Sequence, residues 1–214
     1  MKKLLFLLLL CIASFCSAAD SFLTSCQQQW QANAKAMKSM RADMVQSVEI
    51  AGQKAEQKAK VQYLVSDRFY SKTEMDSHIG KMTMLCRGDT TYIRMGNSGW
   101  NAQQGNCSEN PLEATVNKLK NLKLSFSKDS SGSRIYRAPD DTRYVFEAKT
   151  CRLMKMDIAQ DGIRGISSFQ YQNFENIDFP VKTEIDLPGK GKTSMEYRSV
   201  LMNKGVTKAF FELD

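Results

Sequence analysis

Histidine is almost missing from this chain: His78 is the single one among 214 residues. That scarcity removes the Ser–His–Asp and Cys–His nucleophile systems unless His78 itself serves. His78 stands in Asp76-Ser77-His78-Ile79-Gly80, where a hairpin turn is expected, and reads as a solvated turn residue. No C-x-x-C occurs, so neither a zinc ribbon nor a thioredoxin-type redox site has support. Beyond the N-terminus no apolar run reaches the ~18 residues of a membrane-spanning helix. A complete phosphate-binding loop is missing too. Gly189-Lys190-Gly191-Lys192-Thr193-Ser194 imitates its end, but the G-x-x-x-x-G-K-[ST] spacing needs a glycine where Asp186 stands, and both flanks are strand-like. A basic hairpin loop is expected there. Asp140-Asp141 follow Pro139 and read as a turn, not a metal pair. Catalytic residues, metal ligands and a cofactor motif are all absent from this reading.

What is present starts with a leader. Lys2 and Lys3 precede an apolar stretch, Leu4 to Phe15, and Ser17-Ala18-Ala19 supply small residues for cleavage before Asp20. Residues 1–19 read as a secretory signal and 20–214 as one domain of roughly 195 residues. Cys11 and Cys16 follow Leu10 and Phe15, where a lipidation box needs a small residue, so the exported chain is expected to be soluble. The sequence has 30 Lys and Arg against 23 Asp and Glu; without Lys2 and Lys3 the ratio is 28 to 23, an excess of five. The excess is dispersed. It suits a solubilised surface or a visit to an anionic membrane, and it does not point to nucleic acid. Of six cysteines, Cys26, Cys86, Cys107 and Cys151 follow the leader. An even number in an exported chain favours disulfides, and three pairings are possible; Cys86–Cys107 with Cys26–Cys151 is the expected set.

Ser25 to Met44 reads as one helix, because Trp30, Ala34, Met37, Met40 and Met44 recur at spacings of three and four. From Val45 the period becomes two. Val48 and Ile50, then Val61, Tyr63 and Val65, then Phe69, Ser71 and Thr73 alternate with polar neighbours, with a turn at Ala51-Gly52-Gln53. Met82, Met84 and Cys86 share a strand face. Arg87-Gly88-Asp89 spells an adhesion tripeptide, but a tight link between two strands explains it; Tyr92 to Met95 continues the pattern to Trp100. Asn106-Cys107-Ser108 fits a glycosylation sequon, which matters only in a eukaryotic secretory pathway. Asn110-Pro111 starts a short amphipathic helix with Leu112, Val116, Leu119 and Leu122 on its stripe. Strands resume at Leu122 to Phe126, followed by a turn over Lys128 to Gly132. They continue at Arg134 to Arg137, Arg143 to Ala148, Arg152 to Ile158, Ile163 to Phe174, Phe179 to Leu187, Thr193 to Val200 and Val206 to Leu213. Short strands joined by tight turns predict one antiparallel sheet curved into a barrel or half barrel. The class is mainly β with helices (α+β).

Twelve methionines are the remaining compositional signal. Methionine is unbranched and polarizable, so it adapts to many packings. Periodicity alone favours an ordinary sandwich core; the sharper reading is a curved sheet whose concave face holds lipid under amphipathic helices.

Two stretches carry a family resemblance. The first is Val61 to Met75 (VQYLVSDRFYSKTEM), followed by Gly88-Asp89, Tyr92-Ile93 and Gly99-Trp100. The second is Tyr144 to Met156 with Asp161-Gly162, continuing through Asn173-Phe174, Phe179-Pro180 and Phe210 to Leu213. Together they span nearly all of the chain after its leader, and they resemble the LolA-like carriers of the outer-membrane lipoprotein-sorting superfamily. The resemblance implies a half barrel closed by an N-terminal helix and a short lid helix around an apolar cavity, in a monomeric periplasmic protein without catalytic residues or cofactor. Its cargo would be the acyl chains of lipoproteins or lipids, taken from an inner-membrane release complex and passed to an outer-membrane acceptor. A sensor of lipoproteins or lipids that signals to a protein partner is the alternative on the same fold. Expected cavity residues are Trp30, Met37, Met44, Val61 and Tyr63 from the first third of the chain. Met82, Met84, Tyr92, Met95 and Leu119 follow, then Met154, Met156, Phe169 and Met195. In the carriers an arginine near the early strands helps hold the lid shut, and Arg68 is the matching candidate.

Overall fold

The period-two segments form strands, and the strands join one sheet. The computed structural model describes residues 21–66, 68–77, 80–105, 110–160 and 162–213. The leader, His78, Asp161, Cys107 and the Asn106-Cys107-Ser108 sequon lie outside the described residues. Helix α1 covers 21–36. Six strands follow: β1 (Ser39–Ile50), β2 (Gln53–Val65), β3 (Phe69–Ser77), β4 (Gly80–Arg87), β5 (Thr90–Met95) and β6 (Asn101–Gln104). Helix α2 (Pro111–Lys120) interrupts them. Then come β7 (Ser125–Ser130), β8 (Ser133–Arg137), β9 (Arg143–Glu147), β10 (Leu153–Gln160), β11 (Ile163–Phe174), β12 (Ile177–Leu187) and β13 (Gly191–Met202). A 3-10 turn, Lys208–Phe211, follows.

The 13 strands lie in the order β6-β5-β4-β3-β2-β1-β13-β12-β11-β10-β9-β8-β7. Each half of the chain is a meander of antiparallel hairpins, and the two meanders meet where β1 pairs with β13. The open edges are β6 and β7, with α2 between them in sequence. This is an open antiparallel half barrel. Its hairpins follow from local chemistry. Ala51-Gly52, Ser131-Gly132 and Glu175-Asn176 all have positive φ at both positions, the requirement of the two-residue turn whose twist matches that of its strands. Arg87-Gly88-Asp89 is the β4–β5 link, with Gly88 at φ +65. Gly191 belongs to no phosphate loop: its φ is +125, and a Cβ there would sit 2.1 Å from the Glu49 carbonyl oxygen. Only glycine lets β13 start that close to the end of β1.

Three expected boundaries are corrected. The helix expected over Ser25 to Met44 ends at Ala36, and Met40 and Met44 belong to β1. Residues four apart share a face in a helix and also in a strand, so this methionine spacing suits both. Asn203 decides the break. Its side-chain oxygen accepts from the Lys38 and Ser39 amides at 2.7 and 3.1 Å, and its Nδ2 donates to the Ala36 carbonyl at 3.0 Å. The strand expected at Leu122 to Phe126 begins at Ser125 and runs to Ser130, so the turn shrinks to Ser131-Gly132. Val206 to Leu213 is not a strand; Val206, Phe210 and Phe211 pack on Tyr70 and Leu85.

Both helices sit on one face of the sheet. Ala34 of α1 and Met37 just after it, with Leu112 and Val116 of α2, pack on Met40, Ala42, Val61, Ile177, Phe179 and Met202. Leu119 joins a second cluster with Tyr136, Tyr144, Phe146 and Leu153. Asn110 fixes the start of α2 by accepting from the Leu112 amide at 3.0 Å, and its Nδ2 donates to the Ala34 carbonyl at 3.2 Å. The expected Cys26–Cys151 disulfide is formed and ties α1 to the segment before β10. The expected Cys86–Cys107 pairing is corrected: Cys86 is a buried free thiol that shares a hydrogen bond with the Thr91 hydroxyl at 3.3 Å.

Candidate functional site

Directly paired residues of neighbouring strands point to the same face, so the register assigns the wall beneath the helices. One cross-strand row runs Met44, Ala59, Met75, Met82, Met95 across β1 to β5. The adjoining row runs Ala42, Val61, Thr73, Met84, Ile93. Ala42, Ala59 and Val61 are buried, whereas Met75, Met82, Met84, Ile93 and Met95 are half-buried. The same face continues on the other side of β1. Tyr197 lies opposite Met44, and Met195 opposite Gln46. Met195 then faces Thr183, which faces Phe169. The wall is apolar, rich in methionine, and only partly covered.

The expected cavity residues fall into three groups. Trp30, Met37, Met44, Val61 and Tyr63 gather in the central cluster, where Met37 and Val61 are 0% and 1% exposed and act as packed core. Leu119, Met156 and Phe169 belong to the neighbouring cluster, which Trp30 also touches. Met82, Met84, Met95 and Met195 lie on the half-buried wall, and Met154 sits at the irregularity between Leu153 and Lys155. Tyr92 is the exception: it pairs with Leu85 and packs with that residue under Phe211 on the opposite face. Tyr92 and Met95 are three positions apart, and an odd offset reverses the face of a strand. Arg68 lies in the β2–β3 connection, with its Cδ 3.5 Å from where a Cβ on Gly88 would be. Met75 and Ile93 were missing from the expected set. Both were legible, since Met75 continues the alternation Ser71, Thr73 and Ile93 alternates with Met95.

The helices are held on the wall by aromatic packing and one polar corner. Trp30 stacks on Phe146 at 5.4 Å between ring centres, and its indole N–H donates to the Cys151 carbonyl at 2.7 Å. Phe22 of α1 stacks on Tyr136 at 6.0 Å. Burial pushes the Tyr63 and Tyr197 phenols up, and the two share a hydrogen bond; this part of the wall is poorly solvated. A cavity of about 40 Å³ remains between α1, α2 and β10–β12, touched by Trp30, Leu112, Val116, Leu119, Leu153 and Pro180 and, at its polar side, by Arg152 and Asp178. A larger concavity of about 770 Å³ lies on the opposite face. Ion pairs such as Arg143–Asp157, Lys192–Asp186 and Arg198–Glu196 line it, and such a charged, hydrated surface cannot shelter an apolar chain.

Asp178 is the anionic half of the polar corner. Burial works against its charge, but hydrogen bonds from Arg152 and Asn173 and the Arg152 charge outweigh it, so its pKa is lowered. A carboxylate with a depressed folded pKa contributes stability above its unfolded pKa, and the contribution disappears as pH falls through the folded value. Asp178→Asn is therefore expected to flatten the loss of stability between about pH 5 and about pH 2. Urea midpoints of the two proteins across that range check it; parallel curves would mean that the pair carries no linkage.

No family model matches this sequence, and no curated protein matches it. Solved structures share its fold. The proposed outer membrane lipoprotein-sorting protein domain from Vibrio parahaemolyticus aligns with a TM-score of 0.64 at 12% identity, covering 91% of this chain and 97% of its own. A DUF1329 family protein from Desulfovibrio piger ATCC 29098 gives 0.62 at 11% identity, covering 89% and 97%. A LolA superfamily protein from Nitrosomonas europaea gives 0.54 at 12% identity, covering 87% and 96%. Likeness at such low identity concerns the fold: this chain has the LolA-like half-barrel fold.

Proposed function

We propose that this protein binds acyl chains of lipoproteins or lipids between its methionine wall and helices α1 and α2, as a periplasmic carrier without enzymatic activity. The observation that carries the reading is the wall itself: Met75, Met82, Met84, Ile93 and Met95 form a continuous apolar surface that stays half-buried beside a covered core. The fold shared with a proposed lipoprotein-sorting domain supports it. Release from an inner-membrane complex and delivery to an outer-membrane acceptor complete the proposed cycle, with the protein acting as a monomer.

The present cavity of about 40 Å³ is too small for a chain, since ligand pockets run to about 300–1,000 Å³. Loading therefore requires α2 to shift. It is 10 residues long and buries Leu112, Val116 and Leu119, side chains worth about 1.5–3 kcal/mol each. Sheltering a ~16-carbon chain from water is worth about 12 kcal/mol at ~0.8 per methylene. The second figure exceeds the first, so cargo can displace the lid, and the lid can close again after delivery.

Protein purified without detergent and extracted with organic solvent is expected to yield stoichiometric acyl-chain species by mass spectrometry. An extract without them, together with no uptake of added fatty acid, would overturn the reading. Binding without hand-off to acceptor membranes would favour a sensor.

A further inference from the structure

The cavity under α1 and α2 has an apolar floor and one charged corner. There Arg152 Nη2 donates to Asp178 Oδ1 at 2.7 Å, and Asn173 Nδ2 donates to the same oxygen at 2.9 Å. The Arg152 guanidinium lies 5.7 Å from the centre of the Tyr171 ring. The pair is largely withdrawn from solvent, with side-chain exposures of 26% and 12%. Arg152 Nε–H is buried and has no hydrogen-bond partner among the described residues. A buried N–H without an acceptor is unfavourable, so the guanidinium keeps donor capacity that Asp178 does not use. Guanidinium presents its donors as a planar fork that fits carboxylate and phosphate oxygens. Trp30, Leu119 and Leu153 line the same cavity, so a head group held at Arg152 has its chain beside apolar side chains.

We propose that this corner selects amphiphiles with an anionic head group, a carboxylate or a phosphate monoester, with Arg152 as the specificity-determining residue and Asp178 as the internal carboxylate that competes for it. The inference rests on the acyl-binding reading above and adds the class of head group. It makes an asymmetric demand. Removing Arg152 removes the attraction, whereas neutralising Asp178 frees the guanidinium and removes a repulsive charge. An ion pair that only held the fold would lose binding in both variants.

The test is displacement of an uncharged fluorescent acyl reporter from the purified protein by three probes of equal chain length: hexadecanoate, palmitoyl lysophosphatidic acid and hexadecanol. The two anions are expected to compete about tenfold better than the alcohol. Arg152→Gln should bring them to the level that the alcohol shows in the same variant, and Asp178→Asn should strengthen the anions several-fold. An advantage limited to one anion assigns the corner to that oxyanion. Equal competition by all three probes in the native protein overturns the inference, as does a parallel loss for all three in Arg152→Gln or weaker anion binding in Asp178→Asn. Should Arg152→Gln not fold, Asp178→Asn decides alone. A native protein that takes up neither reporter nor probe fails the acyl-binding reading itself, which separates the two failures.

Discussion

Replacing Cys26 and Cys151 together by alanine is expected to lower unfolding stability by about 2–5 kcal/mol. The bond closes a loop of sequence separation 125, and the chain-entropy cost of leaving such a loop open in the unfolded state is near the top of that range. A typical domain is stable by only about 5–15 kcal/mol, so the double variant loses a large share. The folded side adds to the effect. Cys26 is completely buried, and the disulfide joins α1 to the residue whose carbonyl receives the Trp30 indole. Without it, α1 is held by Trp30 on Phe146, Phe22 on Tyr136, and Ala34, with Met37 just after the helix, in the central cluster. Urea unfolding of the native and double-variant proteins, each with and without reductant, checks the prediction. Reductant should bring the native curve to the variant curve and leave the variant unmoved. Coincident curves in all four conditions would mean that the bond contributes nothing. Such a bond persists in an oxidising compartment, which agrees with the export expected from the leader.

Most hairpins of this fold were legible because alternation and turn chemistry are local. Gly88-Asp89 and Ala51-Gly52 mark their turns in the sequence itself, and Asn110-Pro111 marks the start of α2. What escaped depends on distant partners. Met40 and Met44 repeat at a spacing that suits helix and strand alike, and only the Asn203 side chain, more than 160 residues away, ends α1 at Ala36. The pairing of β1 with β13, which turns two meanders into one half barrel, has no local signature at all. Val206 to Leu213 has a strand-like composition, but β13 is already paired on both sides by β1 and β12, so the segment crosses to cover Tyr70 and Leu85. The candidate site was half legible for the same reason. Period two put Met82 and Met84 on one face, but inclusion of Tyr92 with Met95 ignored the parity of that period. The Arg152–Asp178 corner joins residues 26 apart, and no motif announces it.

Met84→Asp is expected to weaken binding of a fluorescent fatty acid at least about tenfold, or about 1.4 kcal/mol. Met84 lies between Thr73 and Ile93 in its row and beside the Met75–Met82–Met95 row, so a chain on this wall cannot avoid it. A bound chain would strip water from the new carboxylate and offer no hydrogen bond in return, and that desolvation opposes binding. Without ligand the same carboxylate remains partly hydrated, because Met84 is only half-buried. The fold should therefore survive, with a melting temperature within a few degrees of the native protein. Met84→Leu is the matched control: it keeps an apolar side chain of similar volume, and such swaps are tolerated, so its affinity should stay near native. The comparison separates wall from core. If Met84 were ordinary core, Met84→Asp would lower the melting temperature sharply and the ligand would be irrelevant. If the ligand bound elsewhere, affinity would be untouched in both variants. Only a ligand lying on the methionine rows gives a stable protein with weakened binding in one variant and native binding in the other.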